Sequence, residues 1–154
     1  MKNTTLLFVG FFFLLISCNK KAVFDQFDTG FESNRWLEKD SKTYDFTIDD
    51  DSTLYNITFA FSHVYDYQFS SVPLNIKIVD PSGKEEPMTI DLQIKDASGK
   101  QLADCSGDVC DLFFKIKEKT KLQKGNYKAI ISHSFSGPYL PNVIGVGLKV
   151  EEAK

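Results

Sequence analysis

The stretch LYNITFAFS at residues 54–62 alternates apolar and polar side chains, which places Tyr55, Ile57, Phe59 and Phe61 on one face. Successive side chains of a strand point to opposite faces, so this pattern suits a strand with one buried face and suits no helix. The alternation recurs at Tyr44, Phe46 and Ile48, at Leu74, Ile76 and Ile78, and at Met88, Ile90, Leu92 and Ile94. It returns at Leu112, Phe114 and Ile116, at Tyr127, Ala129 and Ile131, and at Ile144, Val146, Leu148 and Val150. Turn signals separate these runs. Asp80-Pro81-Ser82-Gly83 and Asp96-Ala97-Ser98-Gly99 each put an acid first, where it can accept a backbone N–H, and a glycine last. Lys124-Gly125-Asn126 and Ser136-Gly137-Pro138 do similar work. No segment after residue 40 sustains helical periodicity. About seven or eight such strands predict an all-β fold: an antiparallel β-sandwich, jelly-roll or Ig-like, over residues 36–154.

The chain ahead of this domain has a different logic. The apolar run from Leu6 to Ile16 is far shorter than the roughly 20 residues a membrane-spanning helix needs. Lys2 precedes it and the small Ser17 follows, the layout of a secretory signal. Leu15-Ile16-Ser17-Cys18 resembles the bacterial lipobox, which implies lipid on the Cys18 sulfur and cleavage just before it. Residues 1–17 are then a lipoprotein signal peptide, and the polar segment 18–35 reads as a lipidated N-terminus and tether. Several acyl chains hold a protein to a membrane stably where one chain is marginal. Asn19, rather than aspartate, after the cysteine points to the outer membrane. The absence of an acidic run after Lys20-Lys21 points to the periplasmic side.

Without residues 1–17, the side chains number 17 basic against 21 acidic, which gives no ground for nucleic-acid binding. Lipidation of Cys18 also makes sense of an odd cysteine count, because Cys105 and Cys110 are left as a pair inside CSGDVC. Export favours their disulfide, worth roughly 2 kcal/mol for so short a loop. The spacing is not that of a zinc site, and no metal or cofactor is expected.

No nucleophile elbow, HExxH or phosphate-cradling glycine loop is present. His63 and His133 fall near strand ends and could be neighbours across a sheet; a structural role outweighs a catalytic one. Ser132 and Ser134 flank His133, but adjacent strand residues point to opposite faces, so they form no dyad with it. Asp49–Asp51 and the group Asp104, Asp108 and Asp111 are read as solvated turns ahead of a calcium site. Lys115, Lys117, Lys119 and Lys121 alternate, so they are expected on one outer face. Lysines there protect an edge strand from pairing, or form a docking strip for an acidic partner or a lipid or glycan phosphate. Tyr65, Tyr67 and Phe69 extend the core if buried and form a partner surface if exposed. With Trp36, the two tyrosines are also the candidates for a sugar-stacking platform, the alternative reading of the chain as a carbohydrate-binding sandwich.

The order of short motifs adds to this. The lipobox is followed by VFD, by Trp36 with Lys39-Asp40, and by Tyr55-Asn56-Ile57. Tyr67 and Phe69, Pro81 and Gly83, Asp96 to Lys100, Gly125-Asn126-Tyr127 and the closing VIGVGLKVE come next. This order resembles the gliding-motility lipoprotein GldH family of the Bacteroidota over essentially the whole mature chain. The resemblance implies a lipoprotein without enzymatic activity that is needed for gliding. It also implies action beside the envelope machinery that serves type IX secretion, with other gliding and secretion proteins as partners. Cys18 is the one functional residue it carries over.

Overall fold

The structure is a computed structural model and describes residues 22–153. The signal peptide and Cys18 lie outside the described residues. Eleven strands form among the described residues: β1 (Ala22–Thr29), β2 (Arg35–Leu37), β3 (Lys42–Ile48), β4 (Leu54–Val64), β5 (Ser71–Val79) and β6 (Glu85–Gln93). They continue with β7 (Asp104–Ser106), β8 (Val109–Lys121), β9 (Gly125–His133), β10 (Tyr139–Pro141) and β11 (Val143–Glu152).

A five-stranded sheet in the order β1-β11-β4-β8-β7 packs on a four-stranded sheet in the order β3-β9-β5-β6. Every pairing is antiparallel. The chain nests as a folded hairpin: β5 with β6, around it β4 with β8, then β3 with β9, and outermost β1 with β11. That nesting is a jelly roll rather than an Ig arrangement. The strand count exceeds the seven or eight expected because β2, β7 and β10 are only three residues each, too short to show a period. β1 was also unseen. It occupies the segment read as a tether, and a bulge between Ala22 and Phe24 breaks its alternation.

The predicted inward faces of β3, β4, β5 and β9 are buried as read, and burying each large apolar side chain contributes about 1.5–3 kcal/mol. The end of the chain departs from the reading. A bulge between Val143 and Gly145 puts Val143 in the core and leaves Ile144 half-buried. Phe24 of β1 packs on Tyr44 and Phe46 of β3, which closes one side of the sandwich. On the other side Lys117 of β8 reaches Glu86 of β6 at 2.6 Å. The two Asp-x-Ser-Gly turns form as the sequence indicates. Asp80 Oδ1 accepts from the N–H groups of Ser82 (2.9 Å) and Lys84 (3.0 Å), and Asp96 Oδ1 does the same from Ser98 (2.8 Å) and Lys100 (3.0 Å). The Ser82 and Ser98 hydroxyls also donate to these carboxylates and hold both acids below their ordinary pKa.

Candidate functional site

The lysines read as one strip do not share a face. Bulges where β4 pairs with β8 shift the register at Ile57, and Lys119 adopts a left-handed φ of 45°. Lys115 pairs with Glu118, Lys117 turns to Glu86, and the Lys119 N–H donates to Asn56 Oδ1 at 2.9 Å. β7 covers β8 only from Val109 to Asp111, so among the described residues the rest of β8 is an unpaired edge lined by Lys115, Lys119 and Lys121. That is the placement lysines take to block edge-to-edge pairing.

Tyr65 and Tyr67 separate because Asp66 between them is left-handed (φ 54°), which breaks the period of two. Tyr65 is 61% exposed, whereas Tyr67 is fully buried and donates its hydroxyl to the Pro141 carbonyl at 3.1 Å. Burial drives the Tyr67 pKa upward, so it stays neutral. Trp36 is also fully buried, against His133, with its indole N–H on the Asp40 carbonyl at 2.6 Å. Trp36, Tyr65 and Tyr67 therefore form no shared stacking platform.

The two histidines lie in different sheets, His63 on β4 and His133 on β9. His133 Nε2–H donates to the Trp36 carbonyl at 3.0 Å, and its Nδ1 accepts the Phe135 N–H at 3.3 Å. His63 Nδ1–H donates to the Val64 carbonyl at 2.8 Å, and its Nε2 is buried without a hydrogen-bond partner among the described residues. Burial lowers the His63 pKa, so the folded state resists the proton that the unfolded state accepts near pH 6.5. Stability is then fully present above that pH and falls as the pH drops through it. His63→Leu should flatten this acid limb by up to about 1.4 kcal/mol per pH unit, read as urea midpoints at pH 7.5 and pH 5. Parallel acid limbs in both proteins would refute it.

Cys105 and Cys110 oppose each other in the β7–β8 hairpin and are joined by a disulfide. Asp104 lies opposite Asp111, whose carboxylate accepts the Ser62 hydroxyl. Among the described residues no group of three or more histidine, cysteine or acidic side chains is placed to hold a metal ion.

The feature that sequence reasoning missed is the outer face of the five-stranded sheet. One rung runs Phe27–Gly147–Ala60–Phe113 across β1, β11, β4 and β8: large, small, small, large. The rungs beside it are Asp25–Lys149–Thr58–Lys115 and Thr29–Gly145–Ser62–Asp111. Between the two exposed phenylalanines lies a slot of about 350 Å³, lined by Ala60 with Asp25, Thr58 and Lys149 on one side and Ser62 and Asp111 on the other. Pairing register, invisible in any single strand, assembles it.

The GldH lipoprotein family model matches residues 22–150, all but the last few of the described residues. The chain belongs to the GldH lipoprotein family. Among its relatives is the gliding motility lipoprotein GldH of Flavobacterium johnsoniae, 27% identical over 99% of this chain and 98% of that protein. A GldH homolog from Christiangramia forsetii is 24% identical over 99% of both chains. A solved structure, dimeric latent PorU from Porphyromonas gingivalis, overlaps 88% of this chain and 14% of its own. At 8% identity and a TM-score of 0.34 that overlap carries no argument. This GldH-family chain is thus a lipoprotein of the cell envelope, held to a membrane by lipid.

Proposed function

We propose that this protein is a non-catalytic component of the gliding apparatus, anchored in the outer membrane through lipid on Cys18, with its jelly roll in the periplasm. It works through contacts with other envelope proteins of gliding and type IX secretion. The observation that carries the reading is the end-to-end relationship to a gliding motility lipoprotein. The position of β1 adds a geometric reason. Only Asn19, Lys20 and Lys21 separate Cys18 from Ala22, a reach of about 14 Å fully extended. The Ala22 end of the sandwich therefore stays at the bilayer surface. The opposite end, with Tyr65, Leu37 and Leu102 exposed, faces away from it and is open to partners.

Cross-linking in gliding cells followed by capture of the tagged, lipidated protein tests this. Recovery of gliding or secretion envelope proteins is expected, with cross-links concentrated around Tyr65 or along the Lys115–Lys121 edge. Recovery of none would overturn the contact role, and normal gliding in a strain lacking the protein would overturn the whole reading.

A further inference from the structure

We propose that the slot between Phe27 and Phe113 binds one pyranose ring of an oligosaccharide. The first support is the exposure of its walls. Phe113 is 65% and Phe27 is 44% exposed, and they stand on one rung with only Gly147 and Ala60 between them. Large apolar side chains paired over a small floor, with polar rungs directly to either side, mark a recognition surface.

The second support is the glycine pair. A glycine inside a strand weakens it and often marks a close approach. Here a Cβ at Gly147 would lie 2.6 Å from Phe27 Cδ2, and one at Gly145 would lie 2.5 Å from Phe27 Cε1. The β1 backbone crowds the same space, with the Gln26 carbonyl 2.6 Å from a Cβ at Gly147 and the Asp28 carbonyl 2.9 Å from one at Gly145, so both glycines let β1 and its Phe27 ring lie close on β11. Phe113 projects from β8, two strand spacings or roughly 10 Å away, with Ala60 of β4 as the floor between. That gap admits one ring and not a second element of secondary structure.

The third support is the polarity around it. The apolar rung is one residue deep. About 7 Å to either side along the strands lie Thr58 and Lys149 on one rung, and Ser62 with Asp111 on the other. A pyranose has C–H faces and a hydroxyl edge, so one face packs on Phe113 and its rim meets the Phe27 ring lying on β11, while its hydroxyls reach Thr58, Lys149 and the Asp111 carboxylate. An apolar protein side chain in the same slot would leave those groups facing carbon, at a desolvation cost. The slot differs in residues and location from the buried Trp36 and Tyr67, and it requires nothing of the anchoring or gliding reading.

The test uses the purified full chain in detergent micelles with four probes: β-1,4-linked glucose, xylose and N-acetylglucosamine tetrasaccharides and an α-mannose tetrasaccharide. Binding is followed by saturation-transfer NMR and calorimetry. At least one probe should bind below about 10 mM, and Phe113→Ala should weaken it about tenfold or more. Ala60→Leu, which fills the floor, should do the same, while Tyr65→Ala should change nothing. Phe113→Ala should keep the wild-type urea midpoint, because the side chain is mostly exposed. No binding of any probe at about 10 mM, or binding that survives both slot substitutions, overturns the proposal. So does a Phe113→Ala protein that keeps its sugar affinity but loses a cross-linked protein partner, since the slot is then a protein contact.

Discussion

Cys18→Ala should move the protein from the membrane pellet to the soluble envelope fraction and stop gliding. Among the described residues no helix is long and apolar enough to cross a membrane, and the outward faces of the sheets are mainly polar. In the proposed reading, attachment then rests on the acyl chains, each burying on the order of a dozen methylenes at about 0.8 kcal/mol apiece. Removing them removes the whole of that term at once, while the strands from β1 (Ala22–Thr29) onward keep their contacts. Fractionation by ultracentrifugation and single-cell gliding speed read the two halves of the prediction separately. A soluble variant that still supports full gliding would show that the anchor is dispensable, and a variant that stays in the pellet after its signal segment has been cleaved off would show that Cys18 is not the attachment point.

Trp36→Ala should be the most damaging single truncation outside the centre of the sandwich, at about 3–5 kcal/mol. The indole is fully buried, stacks edge-on against His133 at 5.1 Å and touches Phe31, and its N–H holds the Asp40 carbonyl. Among the described residues β2 and β10 pair only with each other, over three residues, so the packing of Trp36 and Leu140, with the hydrogen bonds of His133 to the Trp36 carbonyl and Tyr67 to the Pro141 carbonyl, seats them on the sandwich. Loss of the indole leaves a cavity and frees that end of the molecule. A melting temperature lower by about 10–20 °C is expected for a domain of this size. A drop of only a few degrees would mean that the end of the sandwich collapses to refill the space.

How much of this was readable in advance follows from the range of each interaction. Period-two patterning is local and strong in β4, where Tyr55, Ile57, Phe59 and Phe61 all face the core. The Asp-x-Ser-Gly turns are equally local, because each carboxylate bonds within four residues of itself. The all-β class, the position of most strands and the tight turns were therefore legible. β1 was not, since an edge strand with Phe24 turned inward and Phe27 outward shows no clean face. Bulges also defeated local reading: they split the lysines of β8 and exchanged Val143 for Ile144 in the core. Tyr65 and Tyr67 parted because one left-handed residue, Asp66, stands between them.

An antiparallel β protein behind a lipobox was readable from local patterns, and its GldH likeness from the order of short motifs along the chain, because each motif is itself a few contiguous residues. The folded structure made the sandwich a jelly roll, drew β1 into it and buried Trp36 and Tyr67. It alone placed Phe27 and Phe113, 86 positions apart in the chain, on one rung above Gly147 and Ala60. Register across four strands depends on nested hairpins, bulges and the packing of two sheets together, and none of these is encoded within the span of a single strand.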